Sequence, residues 1–236
     1  MSLTPVDRPT RPTERRTAVR AALALAVCSL VLLILVAFSW APLIRLDESI
    51  ARTTHRWAVE QDGLTHAFRI LTDWVWDPLT LRILAGVVII WLVWRRAERF
   101  TAGWLLVTVV VTTLLQQGFK AAVDRERPVW PDPVDSANFA AFPSGHAMTA
   151  TVVCGLLVWL LHHYGAPCAL VRTAAVVAAV SVVGVGLTRI WLGVHWPTDV
   201  LGGWLMGATV IAVAVAVHER LRPVLSSRAP EEPSDG

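Results

Sequence analysis

Six long apolar runs constrain this chain most, because each approaches the length of helix that crosses a bilayer. About 20 helical residues cover roughly 30 Å of hydrocarbon. The runs are Ala21–Ile44, Ile83–Trp94 preceded by the Asp77–Arg82 region, Thr101–Phe119, Ala147–Leu161, Ala174–Leu187 and Val200–Val217. With 55% hydrophobic and 17% charged residues, the chain has too little polar surface for a soluble domain of 236 residues. The sequence therefore predicts an all-α, polytopic membrane protein with six transmembrane helices in a bundle.

The predicted organisation is a basic tail at residues 1–17, a membrane domain at 18–218 and a C-terminal tail at 219–236. The outermost residues, Met1 to about Pro12 and Ser226 to Gly236, are rich in Pro, Ser and charge, which predicts disorder. A secretory signal peptide is the alternative interpretation of the first apolar run, with Ala37-Phe38-Ser39 as its cleavage site. That run exceeds the about 7 to 15 residues of a signal core, which favours an uncleaved anchor.

Arginine placement predicts the orientation of the six helices. Arginines concentrate in the N-terminal tail, in the turn after the second run and in the C-terminal tail: Arg8, Arg11, Arg15, Arg16, Arg20, Arg95, Arg96, Arg99, Arg220, Arg222 and Arg228. These segments share one face of a six-helix bundle, and the positive-inside rule makes that face cytoplasmic. Both termini are then expected inside the cell.

The opposite, extracytoplasmic face then receives three stretches, at residues 45–77, 121–143 and 188–199. Within the first, Leu64–Trp76 is predicted to form an amphipathic helix lying in the interface, with Trp74 and Trp76 in the headgroup layer. Ionisable groups near a bilayer are costly, so the polar residues of these stretches are the candidates for function.

Lys120 follows the third apolar run and is the only lysine among 21 basic residues. Its compact ammonium group is therefore not explained by a general use of lysine for positive charge. The alternative is a snorkelling residue at the C-terminus of a helix, where a cation is favoured in any case.

The segment Pro143-Ser144-Gly145-His146 precedes the fourth apolar run and has the pattern of a helix start, with Ser144 able to cap. A helix N-terminus offers free N–H groups and a positive dipole to phosphate oxygens, and Gly145 would allow close approach of an anion. His146 would then lie beside that anion. The alternative is an ordinary capped helix with an interfacial histidine.

Pro197 is well placed to open the sixth helix, which puts Asp199 in its first turn. A carboxylate there can reach back to His195 and fix the imidazole tautomer, leaving the other ring nitrogen with a free lone pair. That nitrogen is a candidate nucleophile. The alternative is a satisfied histidine–aspartate pair at the interface.

Together these clusters supply two histidines, one carboxylate partner and several cations. They lack the run of acidic ligands that magnesium-dependent phosphoryl transfer uses. The combination favours metal-free phosphoryl transfer, and we expect neither a metal nor another cofactor.

Three ordered motifs carry a family resemblance: Lys120-x6-Arg127-Pro128, Pro143-Ser144-Gly145-His146 and Thr188-Arg189-x5-His195-x3-Asp199. They resemble the three-part motif of the type 2 phosphatidic acid phosphatase superfamily. That superfamily includes lipid phosphate phosphatases, undecaprenyl diphosphate phosphatases, glucose-6-phosphatase and the soluble vanadium haloperoxidases. The resemblance covers about residues 101–217, the motif-bearing part of the membrane domain, and the six-helix layout is similar.

The resemblance implies that His195 attacks phosphorus, Asp199 orients it, and His146 protonates the leaving oxygen and then activates water. It also implies a set of residues that hold the phosphoryl oxygens: Lys120, Arg127, Ser144, Gly145 and Arg189. Thr188 stands where the family more often has serine. Arg125 lies inside the spacer of the first motif, and nothing marks it as a phosphate ligand rather than a headgroup contact.

The expected function is metal-independent hydrolysis of a lipid phosphate or diphosphate, such as phosphatidic acid or undecaprenyl diphosphate, at an extracytoplasmic site. The alternative is a non-catalytic protein that binds or transports an anionic lipid, but such a protein could lose the candidate catalytic residues, which are all present here. A haloperoxidase conflicts with the apolar runs. The expected partners are the lipid substrate and the bilayer, with no nucleic acid.

The oligomeric state stays open on the sequence. The pair Gly203-x3-Gly207 in the sixth run is typical of a close-packing helix face. Packing against a neighbouring helix of the same chain is favoured over dimerisation.

Overall fold

The computed structural model describes residues 12–226, and its regular secondary structure in that range is helical. The helices are α1 (Pro12–Ala37), α2 (Ala41–Glu60), α3 (Asp62–Ile70) followed by a π-helical turn (Leu71–Val75), α4 (Pro78–Arg96), α5 (Arg99–Val123), α6 (Gly145–His163), α7 (Cys168–Trp191) and α8 (Pro197–Ser226). The predicted disordered ends, Met1 to about Pro12 and Ser226 to Gly236, lie outside the described residues except for Pro12, where α1 begins, and Ser226, where α8 ends. Helix α1 starts within the predicted N-terminal tail, and α8 continues past residue 218.

Six stretches of the described residues are long and apolar enough to cross a membrane. They are Val19–Ala37, Asp62–Arg96, Arg99–Val123, Gly145–His163, Cys168–Trp191 and Pro197–Leu221. The predicted all-α fold with six candidate membrane-spanning helices is therefore confirmed. The chain is a multi-pass membrane protein.

The first helix ends earlier than the apolar run predicts. It stops at Ala37, not at Ile44, because Ser39 adopts a left-handed conformation (φ 48°) and the chain then restarts as α2. Pro42 lies in the first turn of α2, where its missing N–H costs nothing. Apolar content alone hides this break, since residues on both sides of it are hydrophobic.

The segment at residues 45–77 also differs from its prediction. Leu64–Trp76 is not one helix, because α3 ends at Ile70 and a π-helical turn follows. Trp74 is 74% exposed. Trp76 instead packs on α7, where a Cβ on Gly184 would stand 2.6 Å from the indole. The unpredicted element is α2, a 20-residue helix with one buried face.

Helix α6 lies at the centre of the bundle, with half of its predicted span buried. Its close neighbour is α8, and two glycines set their separation. A Cβ on Gly203 would stand 2.8 Å from the Ser144 carbonyl oxygen, and one on Gly207 would stand 2.8 Å from Thr151 Cβ. Gly203-x3-Gly207 therefore packs within the chain. This contact brings the first turns of α6 and α8 to the same end of the bundle as the last turn of α5.

Candidate active site

His195 lies in the short segment between α7 and α8, and both of its ring nitrogens have partners. Nδ1 is 3.3 Å from Asp199 Oδ2, and Nε2 is 3.2 Å from Arg127 Nη1. The side chain is only 2% exposed. Because Pro197 opens α8, Asp199 lies in the first turn and faces back toward His195, as the sequence predicts.

A tight turn before His195 gives the ring this position. Gly193 has φ +67°, and a Cβ there would stand 2.6 Å from Trp130 Nε1. Trp130 Nε1 donates to the Gly193 carbonyl oxygen at 2.9 Å. Only glycine combines the left-handed conformation with this close approach. The turn therefore reverses the chain at the end of α7 and directs His195 into the bundle.

The surroundings of His195 fix its protonation state. Burial lowers the pKa of His195 well below its ordinary value, and the positive charges of Arg127, Arg189 and Lys120 lower it further. The imidazole is therefore neutral at neutral pH. Because a guanidinium only donates, the nitrogen facing Arg127 is the unprotonated Nε2, and Nδ1 carries the proton toward Asp199.

Three cations with buried or half-buried side chains, Lys120, Arg127 and Arg189, form what we call the cation cluster. Lys120 Nζ donates to the Ala140 carbonyl oxygen. Arg127 donates to three backbone carbonyl oxygens, those of Phe139 at 2.8 Å, Val194 at 2.6 Å and Asn138 at 3.0 Å. Burial and the charge of Arg189 lower the pKa of Arg127 to about 10, so it stays cationic at neutral pH.

The third member, Arg189, is 4% exposed near the end of α7. Its Nη1 is 3.4 Å from Thr72 Oγ1 in the π-helical turn and 3.6 Å from Asp135 Oδ2 in the loop between α5 and α6. In the part of the chain that the structure describes, neither Lys120 nor Arg127 is ion-paired with a carboxylate. The cation cluster therefore carries excess positive charge in a largely buried place.

The start of α6 closes the same site. Ser144 is fully buried at the N-cap position, but its hydroxyl makes no capping bond, and Oγ has no hydrogen-bond partner among the described residues. This differs from the capping role that the sequence suggests. Gly145 faces α5, where a Cβ would stand 2.6 Å from Gln116 Nε2. The glycine thus permits this helix contact, and the approach of an anion to Gly145 stays a prediction.

His146 is half-buried in the first turn of α6. It interacts electrostatically with His195 and with all three members of the cation cluster. Thr188, by contrast, turns its hydroxyl to the Val185 carbonyl oxygen of its own helix, at 2.8 Å. The structure therefore brings every predicted site residue to one place.

Arg125, to which the sequence assigns no role, lies between two carboxylates. Its Nη1 is 2.6 Å from Asp199 Oδ1, and its Nη2 is 2.7 Å from Asp47 Oδ2. Asp47 is not among the site residues predicted from the sequence. A signal existed, because Asp47, Ala51 and His55 recur every fourth residue and form the buried face of α2.

The region that contains the three motifs matches a known protein family. The profile of the PAP2 superfamily matches residues 101–223, more than half of the 236 residues. This chain belongs to the PAP2 superfamily. The resemblance stated from the motifs is thereby confirmed.

Named PAP2-like relatives act on different lipids. Phosphatidylglycerophosphatase B of Bacillus subtilis is 33% identical over 52% of this chain and 62% of its own length. Undecaprenyl-diphosphatase of Sulfolobus acidocaldarius is 25% identical over 62% of this chain and 65% of its own length. Decaprenylphosphoryl-5-phosphoribose phosphatase of Mycobacterium tuberculosis is 34% identical over 66% of this chain and 77% of its own length. The chain thus spans less than two thirds of the first two relatives.

A solved PAP2 structure shares the fold. The crystal structure of a transmembrane PAP2 type phosphatidylglycerolphosphate phosphatase from Bacillus subtilis superposes with a TM-score of 0.66 at 24% identity, covering 85% of this chain and 96% of that one. The PAP2 match itself begins at Thr101 and so covers α5 onward. Asp47 in α2 and Thr72 in the π-helical turn lie outside it.

Proposed function

We propose that this PAP2 protein is a metal-independent phosphatase that removes phosphate from a membrane lipid through a phosphohistidine on His195. The observation that carries the proposal is the environment of His195, a neutral buried imidazole whose Nδ1 faces Asp199 and whose Nε2 faces the cation cluster. A histidine held in this way has its lone pair on the nitrogen nearest the anion-binding groups.

The proposed reaction has two steps. Nε2 of His195 attacks phosphorus while the bond to the lipid oxygen breaks, and His146 donates a proton to that oxygen. Water then attacks the phosphohistidine and gives a proton to His146, the phosphorus–nitrogen bond breaks, and inorganic phosphate leaves. Asp199 accepts the Nδ1–H bond throughout and stabilises the positive charge that develops on the ring.

The cation cluster is proposed to hold the phosphoryl oxygens, together with the Ser144 hydroxyl and the first turn of α6. Charge-assisted bonds to phosphate are stronger than bonds to neutral carbonyls, so a phosphoryl group competes well for the donors of Lys120 and Arg127. Arg127 Nη1 then donates to a phosphoryl oxygen in place of His195 Nε2. The lone pair on Nε2 is thereby free to attack. Pre-arranged donors of this kind supply much of the rate enhancement in phosphoryl transfer.

An apolar cavity between α4, α6 and α7 supports a lipid as the substrate. Its volume is about 610 Å³, within the range of about 300–1,000 Å³ of ligand pockets. Val75, the last residue of the π-helical turn in which Thr72 contacts Arg189, lines one end of it together with Trp76. The cavity extends from there to Tyr164 at the end of α6. We place an acyl or prenyl chain along it, with the first part of the chain at the Val75 end.

The charge near Arg189 favours a phosphate monoester over a diphosphate. Three carboxylates, those of Asp135, Asp73 and Asp77, interact electrostatically with Arg189. A second phosphate on this side would meet their negative charge, whereas hydroxyl groups of a glycerol or sugar headgroup would find hydrogen-bond acceptors. Of the two substrates expected from the sequence, a phosphatidic acid-type lipid and undecaprenyl diphosphate, we therefore favour the first.

The proposed site faces the extracytoplasmic side, with both termini in the cytoplasm. Arg95, Arg96 and Arg99 lie at the α4–α5 connection, at the end of the bundle away from Lys120 at the end of α5. The positive-inside rule puts that arginine-rich end in the cytoplasm.

The test is a substrate panel on purified protein in detergent micelles. It compares phosphatidic acid, phosphatidylglycerol phosphate, undecaprenyl diphosphate and a water-soluble phosphate ester, with and without EDTA. We expect lipid monoesters to be cleaved fastest and EDTA to have no effect. His195→Ala should lower kcat at least about 10³-fold. Rapid alkaline quenching with radiolabelled substrate should trap a base-stable phosphoenzyme in the wild type alone.

The control variant is His66→Ala, because His66 is an exposed histidine on α3. It should keep wild-type activity. Full activity of His195→Ala would overturn the mechanism, and strict magnesium dependence would overturn its metal-free part. Binding of the lipids without release of phosphate from any of them would favour the non-catalytic alternative.

A further inference from the structure

Asp47 is an aspartate buried in a chain segment that the PAP2 match does not reach. It lies on the buried face of α2 and is 1% exposed. Its partner Arg125 bridges it to Asp199, at 2.7 Å from Asp47 Oδ2 and 2.6 Å from Asp199 Oδ1. One guanidinium thus joins two buried carboxylates 152 positions apart in sequence (Asp47 to Asp199).

The two carboxylate oxygens of Asp199 contact different groups. Oδ1 accepts from Arg125 alone among the described residues, whereas Oδ2 faces His195 Nδ1 and accepts from the Trp196 backbone N–H at 2.8 Å. The carboxylate is therefore held at both ends and cannot rotate without breaking an ion pair. Its orientation sets the orientation of the imidazole, because the Nδ1 contact is made through Oδ2.

Asp47 anchors the same arrangement to the start of α8. Its Oδ1 accepts from the Thr198 backbone N–H at 3.0 Å, and its Oδ2 accepts from the Thr198 hydroxyl. The first N–H groups of a helix lack partners within the helix and favour a negative charge. A carboxylate from α2 therefore caps the helix that carries Asp199. We call Asp47, Arg125, Thr198 and Asp199 the positioning network.

The donors of Arg125 distinguish it from a phosphate ligand. Both terminal nitrogens contact carboxylates, and Nη1 also donates to Thr198 Oγ1 at 2.7 Å. The guanidinium carbon lies 5.6 Å from the centre of the Trp196 ring, directly beside His195. A phosphate would have to displace a buried carboxylate to reach it.

We propose that Asp47 and Arg125 are positioning residues that hold Asp199, and through it aim His195 Nε2 at phosphorus, without binding phosphate themselves. This inference rests on the proposed function of His195. A buried ion pair gives little net stability, because desolvation offsets the attraction. The pair's contribution is therefore geometric, and it should act on the chemical step rather than on substrate binding.

The test measures kcat, KM and inhibition by inorganic phosphate for Arg125→Ala, Arg125→Lys and Asp47→Asn in detergent micelles. Arg125→Ala should lower kcat about 100-fold, the size expected when a reacting group is misplaced by about 1 Å. The phosphate inhibition constant should change less than about threefold, because the cation cluster is intact. Arg125→Lys should recover part of kcat, since an ammonium can keep one of the two ion pairs.

Asp47→Asn should lower kcat less, about 10-fold, because Arg125 still contacts Asp199. The rate of phosphoenzyme formation in a single turnover should fall in parallel with kcat in all three variants. Arg52→Ala and Glu48→Gln are the matched controls, since they remove an exposed charge of each sign from the same helix. Both should behave as the wild type.

Two results would overturn the inference. Unchanged kcat in Arg125→Ala, with His195→Ala inactive, would remove the positioning role and leave the proposed nucleophile in place. Parallel loss of phosphate inhibition and kcat would make Arg125 a phosphate ligand. Should Arg125→Ala not fold, Arg125→Lys and Asp47→Asn decide the matter by the same split between kcat and phosphate inhibition. Full activity of His195→Ala would overturn the proposed function itself.

Discussion

Arg125 and Arg127 are two residues apart, yet they belong to different parts of the site. Arg125, in the positioning network, contacts the carboxylates of Asp47 and Asp199. Arg127, in the cation cluster, contacts backbone carbonyls and the neutral ring of His195. An arginine whose partners are carboxylates has its charge neutralised within the protein. One whose partners are neutral dipoles keeps its charge for an anion.

The partners of the two arginines, not their positions in the sequence, separate the role proposed for Arg127 in phosphate binding from the positioning role proposed for Arg125. Both arginines lie in the loop after α5, and both are largely removed from solvent. The difference comes from α2, which brings a carboxylate to Arg125 but none to Arg127. Substitutions in the two parts should therefore give different kinetic signatures.

Among the substitutions that distinguish the cation cluster from the positioning network, the largest effect is expected for Arg127→Ala. Loss of one preorganised donor to the developing charge should lower kcat/KM by about 10² to 10³-fold. Inhibition by inorganic phosphate should weaken as well, which is the opposite of the expectation for the positioning network. Steady-state kinetics with phosphate as inhibitor measures both quantities. Arg127→Lys is the matched variant and should retain part of the phosphate inhibition, because the charge stays.

The cation cluster and its histidines could be predicted from sequence because their signals are local. Pro197 marks the start of α8, and the spacing of His195 and Asp199 is one helical turn, so their contact follows from a few residues. The apolar runs likewise located the cores of the six candidate membrane-spanning helices. Helix ends were less predictable, as Ser39 shows, since a left-handed residue between apolar neighbours leaves the hydropathy unchanged.

The positioning network could not be predicted in the same way. Asp47 and Thr198 are 151 residues apart in sequence, and no local pattern joins them. The contact of Thr72 with Arg189 also depends on a π-helical turn that propensities do not indicate. What the sequence of α2 does show is an acid at a helical repeat shared with Ala51 and His55. That pattern predicts burial of Asp47, but its partner comes only with the tertiary structure.

A smaller effect is expected for Ser144→Ala, which removes one hydroxyl near the cation cluster. Ser144 Oγ is buried with no hydrogen-bond partner in the described part of the chain, so Ser144→Ala should cost little stability. If the hydroxyl donates to a phosphoryl oxygen, kcat/KM should fall about 10-fold. Thr188→Val is the matched control, because the Thr188 hydroxyl bonds its own helix at 2.8 Å. Equal losses in both variants would remove Ser144 from the proposed phosphate site.

The pH dependence of kcat/KM tests how the cation cluster acts on His195. The proposed attack requires a neutral His195, and burial with the neighbouring cations lowers the pKa of this histidine, so it stays neutral into acid. The acid limb of kcat/KM should therefore lie below about pH 6.5, the ordinary histidine value. Removing Arg127 removes one charge that lowers the pKa of His195, so the limb should move to higher pH. The measurement compares pH profiles of the wild type, Arg127→Ala and the control Arg52→Ala on one substrate. Titration of the substrate is the same in all three, so it does not contribute to the difference between them. An unmoved limb in Arg127→Ala would contradict the assignment of the limb to His195.

The smallest effect is expected at Asp135, the one carboxylate that the described residues bring to the cation cluster within ion-pair distance. Its Oδ2 lies 3.6 Å from Arg189 Nη1, a distance typical of a weak ion pair. In the proposed phosphate site a phosphoryl group competes with this carboxylate for Arg189, so Asp135→Asn should lower KM for a lipid monoester about two- to fivefold. Glu126→Gln removes an exposed carboxylate from the same loop and should leave KM unchanged.

Asp135→Asn also sharpens the contrast with Asp47, whose carboxylate is bound by three donors and whose loss should lower kcat. A fall in KM for the diphosphate larger than that for the monoester would further identify Asp135 as the group that disfavours a second phosphate. A rise in KM would instead make Asp135 a residue that holds Arg189 in place for the substrate.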